Sequence, residues 1–73
     1  MDLSTREDLK NMRYACEGME TAALINAHER YSVKAHMRYI DTGFNTEDEQ
    51  YKYLRAVRDI IACELLMRIE GLA

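Results

Sequence analysis

Seventy-three residues allow one domain at most, and a chain this short buries a marginal core unless a disulfide, a metal or a partner subunit assists it. The net charge of −3 is too mild for a polyanion imitating DNA and has the wrong sign for a bulk nucleic-acid binder. Two cysteines, Cys16 and Cys63, do not make a disulfide scaffold, and no apolar run approaches the roughly 18 residues of a membrane span.

The first residues are charged and polar, without the apolar stretch of a signal peptide, so the expected compartment is the cytoplasm, with both thiols reduced. Ser4-Thr5-Arg6-Glu7 reads as a capping box: Ser4 accepts from the Glu7 N–H, and Glu7 reaches back. Apolar residues then recur at Leu9, Met12, Cys16, Met19, Ala23, Val33, Met37 and Ile40, with Asn26 and Arg30 filling the gap. The alternating spacing of three and four is a heptad seam interrupted by polar residues. One continuous helix over about 4–41 is expected. Gly18 is its weak point, costing about 1 kcal/mol against alanine. A break there, giving three helices, is the alternative.

Asp41-Thr42-Gly43-Phe44 ends this helix. Gly43 suits the left-handed position after the C-cap, and Phe44 can fold back on Tyr39 in a Schellman ending. A turn over about 42–46 leads to a second capping box, Thr46-Glu47-Asp48-Glu49, whose acids suit the positive end of a helix dipole. The second helix, over about 47–70, carries a seam of Tyr51, Leu54, Val57 with Arg58, Ile61, Leu65 and Leu72, and ends at Gly71. The short connection makes the two helices antiparallel neighbours. The expected fold is therefore all-α: a single helical-hairpin domain over 1–73.

Aligning Asp41 with Glu47 sets Ala27 against Ile61 and Cys16 against Leu72. Residues 4–15 then overhang by about 18 Å. In the stretch from Ile60 to Met67, all but Glu64 are apolar. One partner helix cannot cover such a segment. Both features predict a homo-oligomer, most simply a dimer forming a helical bundle. Its interface candidates are Leu9, Met12, Met19, Ile60, Ile61, Leu65, Leu66 and Met67. Diagonal pairs, Glu29 with Arg58 and Arg30 with Asp59, would join Asn26 in a polar layer. Such a layer sets register and oligomer state, or alternatively forms an anion site.

Charge is segregated along the hairpin. The segments 30–40 and 51–58 hold Arg30, Lys34, Arg38, Lys52, Arg55 and Arg58, with no acid. They also hold Tyr31, Tyr39, Tyr51 and Tyr53, every tyrosine but Tyr14. Guanidinium groups pair with phosphates and tyrosine faces stack on bases, and Tyr and Arg also dominate protein hot spots. The plainest alternative is a solvated face with tyrosines on the bundle rim. His28 and His36 lie about 12 Å apart on one helix, too far to share a metal within one chain. No glycine-bearing loop or nucleophile accompanies them, so no enzyme, metal or cofactor is expected. Cys16 and Cys63 are expected to be separate small core residues.

In overall plan the hairpin is similar to plasmid copy-number regulators that dimerise as helical hairpins and bind paired RNA loops. In size it looks like small accessory proteins of phages and mobile elements, many of which inhibit or redirect a host protein. The expectation is a non-enzymatic oligomer that modulates a partner protein, with RNA or a phosphorylated nucleotide, or a purely structural role, as alternatives.

Overall fold

The computed structural model describes residues 3–71, with side chains from Thr5 onward. The Ser4 side chain, on which the first capping box depends, and Leu72 of the second seam lie outside the described residues. The fold is all-helical, but there are three helices: α1 (Leu3–Glu17), α2 (Thr21–Asp41) and α3 (Glu49–Ile69). The break at Gly18 replaces the continuous first helix and the two-helix hairpin. A helix over 4–41 would be about 57 Å long, whereas the longest dimension of the molecule is 39 Å.

The overhang explains the break. A straight helix would leave Leu9 and Met12 in water. Folding back buries Cys16 and packs Leu9 and Met12 against the core. Burial of one large apolar side chain is worth about 1.5–3 kcal/mol when complete, so even partial burial of several outweighs the few helical bonds lost. Gly18 lowers the cost of breaking there by its weak helix propensity. Its φ is ordinary, and an added Cβ would come no closer than 3.8 Å to the Ala15 carbonyl. Gly18 is thus a weak link without any steric requirement for glycine.

α3 is central. α2 runs antiparallel to it, joined by Arg38 to Asp48 at the turn end and by Arg68 to Thr21 at the other. α1 lies along α3 in the same direction, with Leu9 beside Ile60 and Cys16 near Glu64. The core consists of Cys16, Leu24, Ala27, Val57 and Ile61. Ala27 and Ile61 were expected to face each other, so the α2–α3 register survives.

The face of α2 does not. Its inner face is Leu24, Ala27, Tyr31 and Ala35, whereas Ala23, Val33, Met37 and Ile40 are exposed. The expected seam carried one helical phase through residues 18–20. These residues leave the helix, so the phase restarts at Thr21. In α1 and α3 the seam residues described are buried or half-buried as expected: Leu9, Met12 and Cys16, then Tyr51, Leu54, Val57, Arg58, Ile61 and Leu65.

The α2 ending follows the Schellman pattern. Phe44 N–H donates to the Tyr39 carbonyl at 2.8 Å and Gly43 N–H to that of Ile40 at 3.0 Å. Gly43 sits at φ 68, and the Tyr39 and Phe44 ring centroids are 5.2 Å apart. The second helix begins two residues later than expected. Its N-cap is Asp48, whose carboxylate accepts from Tyr51 N–H at 2.9 Å, in place of a box begun by Thr46. Asp48 gains a second partner, Arg38, in that position. Asn45 meanwhile forms a turn by accepting from Glu47 N–H.

Candidate functional site

Of the basic and aromatic residues singled out from the sequence, Arg38, Tyr39, Tyr51 and Lys52 gather at the α2–α3 turn, where their charges are already matched. Arg38 donates two bonds to Asp48, at 2.8 and 2.9 Å. This fork holds the Asp48 carboxyl at about 2, with the Tyr51 N–H bond assisting, and raises Arg38 further. Lys52 lies 2.8 Å from Glu47 and 3.8 Å from Glu49. Their mutual hydrogen bond lowers the Glu47 pKa and raises that of Lys52. Arg58 forks onto its neighbour Asp59 at 3.0 Å. The expected diagonal pairs are therefore absent: Glu29, Arg30 and Asn26 are exposed, and no buried polar layer exists among the described residues. With the α2 phase restarted, those residues point away from α3.

Lys34 lies over the Tyr31 ring, 5.1 Å from its centroid. Arg30 and Arg55 are exposed, without an ion pair among the described residues. Tyr31 and Tyr53 pack on the core, while Tyr39 meets Tyr51 at 5.4 Å between centroids. The tyrosines therefore form the rim and wall of the bundle at this end.

Phe44 completes this end of the molecule. The sequence placed it only as the partner of Tyr39. It is 65 % exposed and has a left-handed backbone, φ 66. That conformation costs a bulky L-residue roughly 1–2 kcal/mol. Gly43 alone satisfies the left-handed position of a Schellman ending, so the second left-handed residue is an addition to it.

Below the tyrosines, Val33, Met37 and Leu54 line an open groove between α2 and α3, with Lys34, Arg38, Asp41 and Gln50 along its edges. The sequence does not point to this groove, because its apolar spacing places Val33 and Met37 in the buried seam.

The apolar residues expected at a subunit interface are largely used within the chain. Ile61 is buried, and Leu9, Met12, Met19, Ile60 and Leu65 pack against the core. Leu66 and Met67 remain exposed. α1 thus covers much of the α3 surface on which the oligomer argument rested.

A second crevice, between α1 and α3, brings Cys16 and Cys63 together with Tyr14, Glu64 and Met67. The fold-back of α1 overturns their expected separation. It also leaves Cys63 exposed and only Cys16 buried. Burial pushes the Cys16 thiol pKa up, and the Glu64 charge adds to this. Beside the crevice, Arg68 donates to the Cys16 and Glu17 carbonyls at 3.1 and 3.4 Å and to Thr21 Oγ1 at 3.1 Å, while Glu64 accepts from its Nε at 3.0 Å. Arg68 therefore caps the end of α1 and touches the start of α2. Among the described residues, no three His, Cys, Asp or Glu side chains gather in a way that could hold a metal ion. No helix among them is long and apolar enough to cross a membrane. Comparison of the chain with protein-family models, with curated proteins and with solved structures gave no match.

Proposed function

We propose that this chain is a non-enzymatic, homo-oligomeric helical protein that binds and modulates a partner protein, and that the α2–α3 turn is its contact surface. The observation that carries this reading is Phe44. A bulky aromatic is held in a costly left-handed conformation and displayed to solvent on a base of Tyr39 and Tyr51. Local strain of this kind persists where the surrounding structure enforces it, and such sites cluster at ligand-binding features. Lys34 and the Val33–Met37–Leu54 groove supply the mixed apolar and cationic surroundings typical of protein hot spots.

Binding of RNA or a phosphorylated nucleotide loses ground, because Arg38, Lys52 and Arg58 already hold carboxylates. The test is affinity capture from the native host lysate, with and without nuclease, using the wild type, Phe44→Asn and Tyr31→Ala. Asparagine tolerates the left-handed region, so Phe44→Asn removes the ring without demanding a new backbone. A nuclease-resistant partner lost on Phe44→Asn, with unchanged helicity, supports the proposal. Capture that depends on nucleic acid and falls steeply with salt would favour the nucleotide reading. Undiminished capture of a protein by Phe44→Asn would remove the turn as the contact surface.

A further inference from the structure

With α1 folded back, an apolar strip on α2 remains uncovered. Ile25, Val33, Met37 and Ile40 are each 50 to 57 % exposed. At 3.6 residues per turn Val33 and Ile40 lie opposite the buried Leu24, Ala27 and Ala35, with Met37 about 40° from Val33 on one side and Ile25 about 80° on the other. α2 therefore has two apolar faces. The inner one meets α3, and no described residue covers the outer one. The outer face extends from Ile25 to Ile40, about 22 Å.

Its polar residues identify the occupant. Val33 and Ile40 run along the crest. Glu29 and His36 lie together on one flank with Ile25, and Met37 lies on the other flank. All of them are exposed. We infer that this face docks onto the same face of a second copy, with the two α2 helices antiparallel about a two-fold axis near Val33. A two-fold of this kind, perpendicular to both helices, brings like flank to like flank. It sets Val33 against Val33, Ile25 of one copy against Ile40 of the other, and Glu29 of each copy beside His36 of the other. The imidazole N–H can donate to the carboxylate in either protonation state of the ring. A parallel pair, whose two-fold runs along the helices, would instead set unlike flanks together and separate Glu29 from His36 of the other copy. Glu29 and His36, which share a flank, thus meet across the two-fold in the antiparallel sense alone. Lys34 falls at the far rim, while Arg30 lies beside Met37 and Asn26 between Val33 and Met37, all exposed. The inference rests on the oligomeric part of the proposed function and specifies its geometry. It leaves Phe44 as the partner's contact but takes Val33 and Met37, which border the adjoining groove, into the contact between copies.

The test combines molar mass in solution with site-directed cross-linking in the full chain, with Cys63→Ala in every cross-linking variant to remove the exposed thiol. The wild type is expected to be a dimer. Val33→Asp should weaken it by about tenfold for each of the two copies, roughly a hundredfold in all, with helicity unchanged because Val33 is outside the core. Glu29→Lys and His36→Glu should each weaken it, and mixing these two variants should restore it, since each then supplies the opposite charge. On mild oxidation, Val33→Cys should cross-link to itself. Ile25→Cys and Ile40→Cys should cross-link only when mixed with each other. A monomeric wild type overturns both the inference and the oligomeric part of the proposed function. A dimer indifferent to Val33→Asp, or self-cross-linking by Ile25→Cys and Ile40→Cys singly, overturns the inference alone.

Discussion

Arg68 is the residue whose removal tests the three-helix arrangement most directly. It is a half-buried guanidinium on α3 that reaches two terminal carbonyls of α1 and the Thr21 hydroxyl, while its Nε is held by Glu64. Glu64 is only 11 % exposed. Arg68→Met keeps the aliphatic stem and removes every one of these bonds. Charge-assisted hydrogen bonds contribute roughly 1.5–3 kcal/mol each, but two of the contacts involve exposed groups and one is long, so their sum is discounted. The Glu64 carboxylate, stranded without its partner, adds to the cost. The expected loss is about 2–3 kcal/mol. Against a total stability of roughly 4–11 kcal/mol for a domain of this length, this is a large fraction. Urea unfolding followed by circular dichroism measures it, with Arg55→Met as an exposed control. Adding Glu64→Gln to Arg68→Met should recover about 1 kcal/mol by removing the stranded charge. Labelling of Cys16 should also accelerate about thirtyfold if 2 kcal/mol of α1 docking is lost. A loss below about 0.5 kcal/mol, within the range of an ordinary surface substitution, would refute Arg68 as the link between α1, α2 and α3.

Other consequences follow from single residues. The Asp48 carboxyl is depressed to about 2 from 3.8, so its contribution to stability is present above pH about 4 and is lost as pH falls towards 2. Asp48→Asn should therefore flatten the acid limb of the stability profile in that window, as read by melting temperature against pH. Gly18→Ala should change stability by no more than about 1 kcal/mol and leave three helices, because the residue has an ordinary φ and open space; a gain in α1–α2 continuity, measured by amide exchange at residues 18–20, would contradict this. In the native protein, a thiol reagent should modify Cys63 at once and Cys16 only on opening or unfolding, since Cys16 is buried with a raised pKa; equal rates would show that α1 is not docked.

What local chemistry decides was legible in the chain. The Schellman ending at Gly43 and Phe44, the seam from Tyr51 to Leu65 and the antiparallel pairing of α2 with α3 all depend on neighbours a few residues apart or on one short turn. The N-cap of α3 was misplaced by two residues, because Thr46 and Asp48 are both capable caps. The choice went to the residue that could also hold Arg38, ten positions away. The break at Gly18 was legible only as the alternative to a continuous helix. Its stabilising group, Arg68, lies about fifty residues along the chain, and no local pattern records such a contact. The outer face of α2 is hidden from the sequence for the same reason. A hydrophobic period gives the spacing of a helical stripe, but its phase is lost wherever the helix is interrupted. Only the tertiary structure, by folding α1 back onto α3, determined which stripe of α2 turned inward and left Val33, Met37 and Ile40 outside.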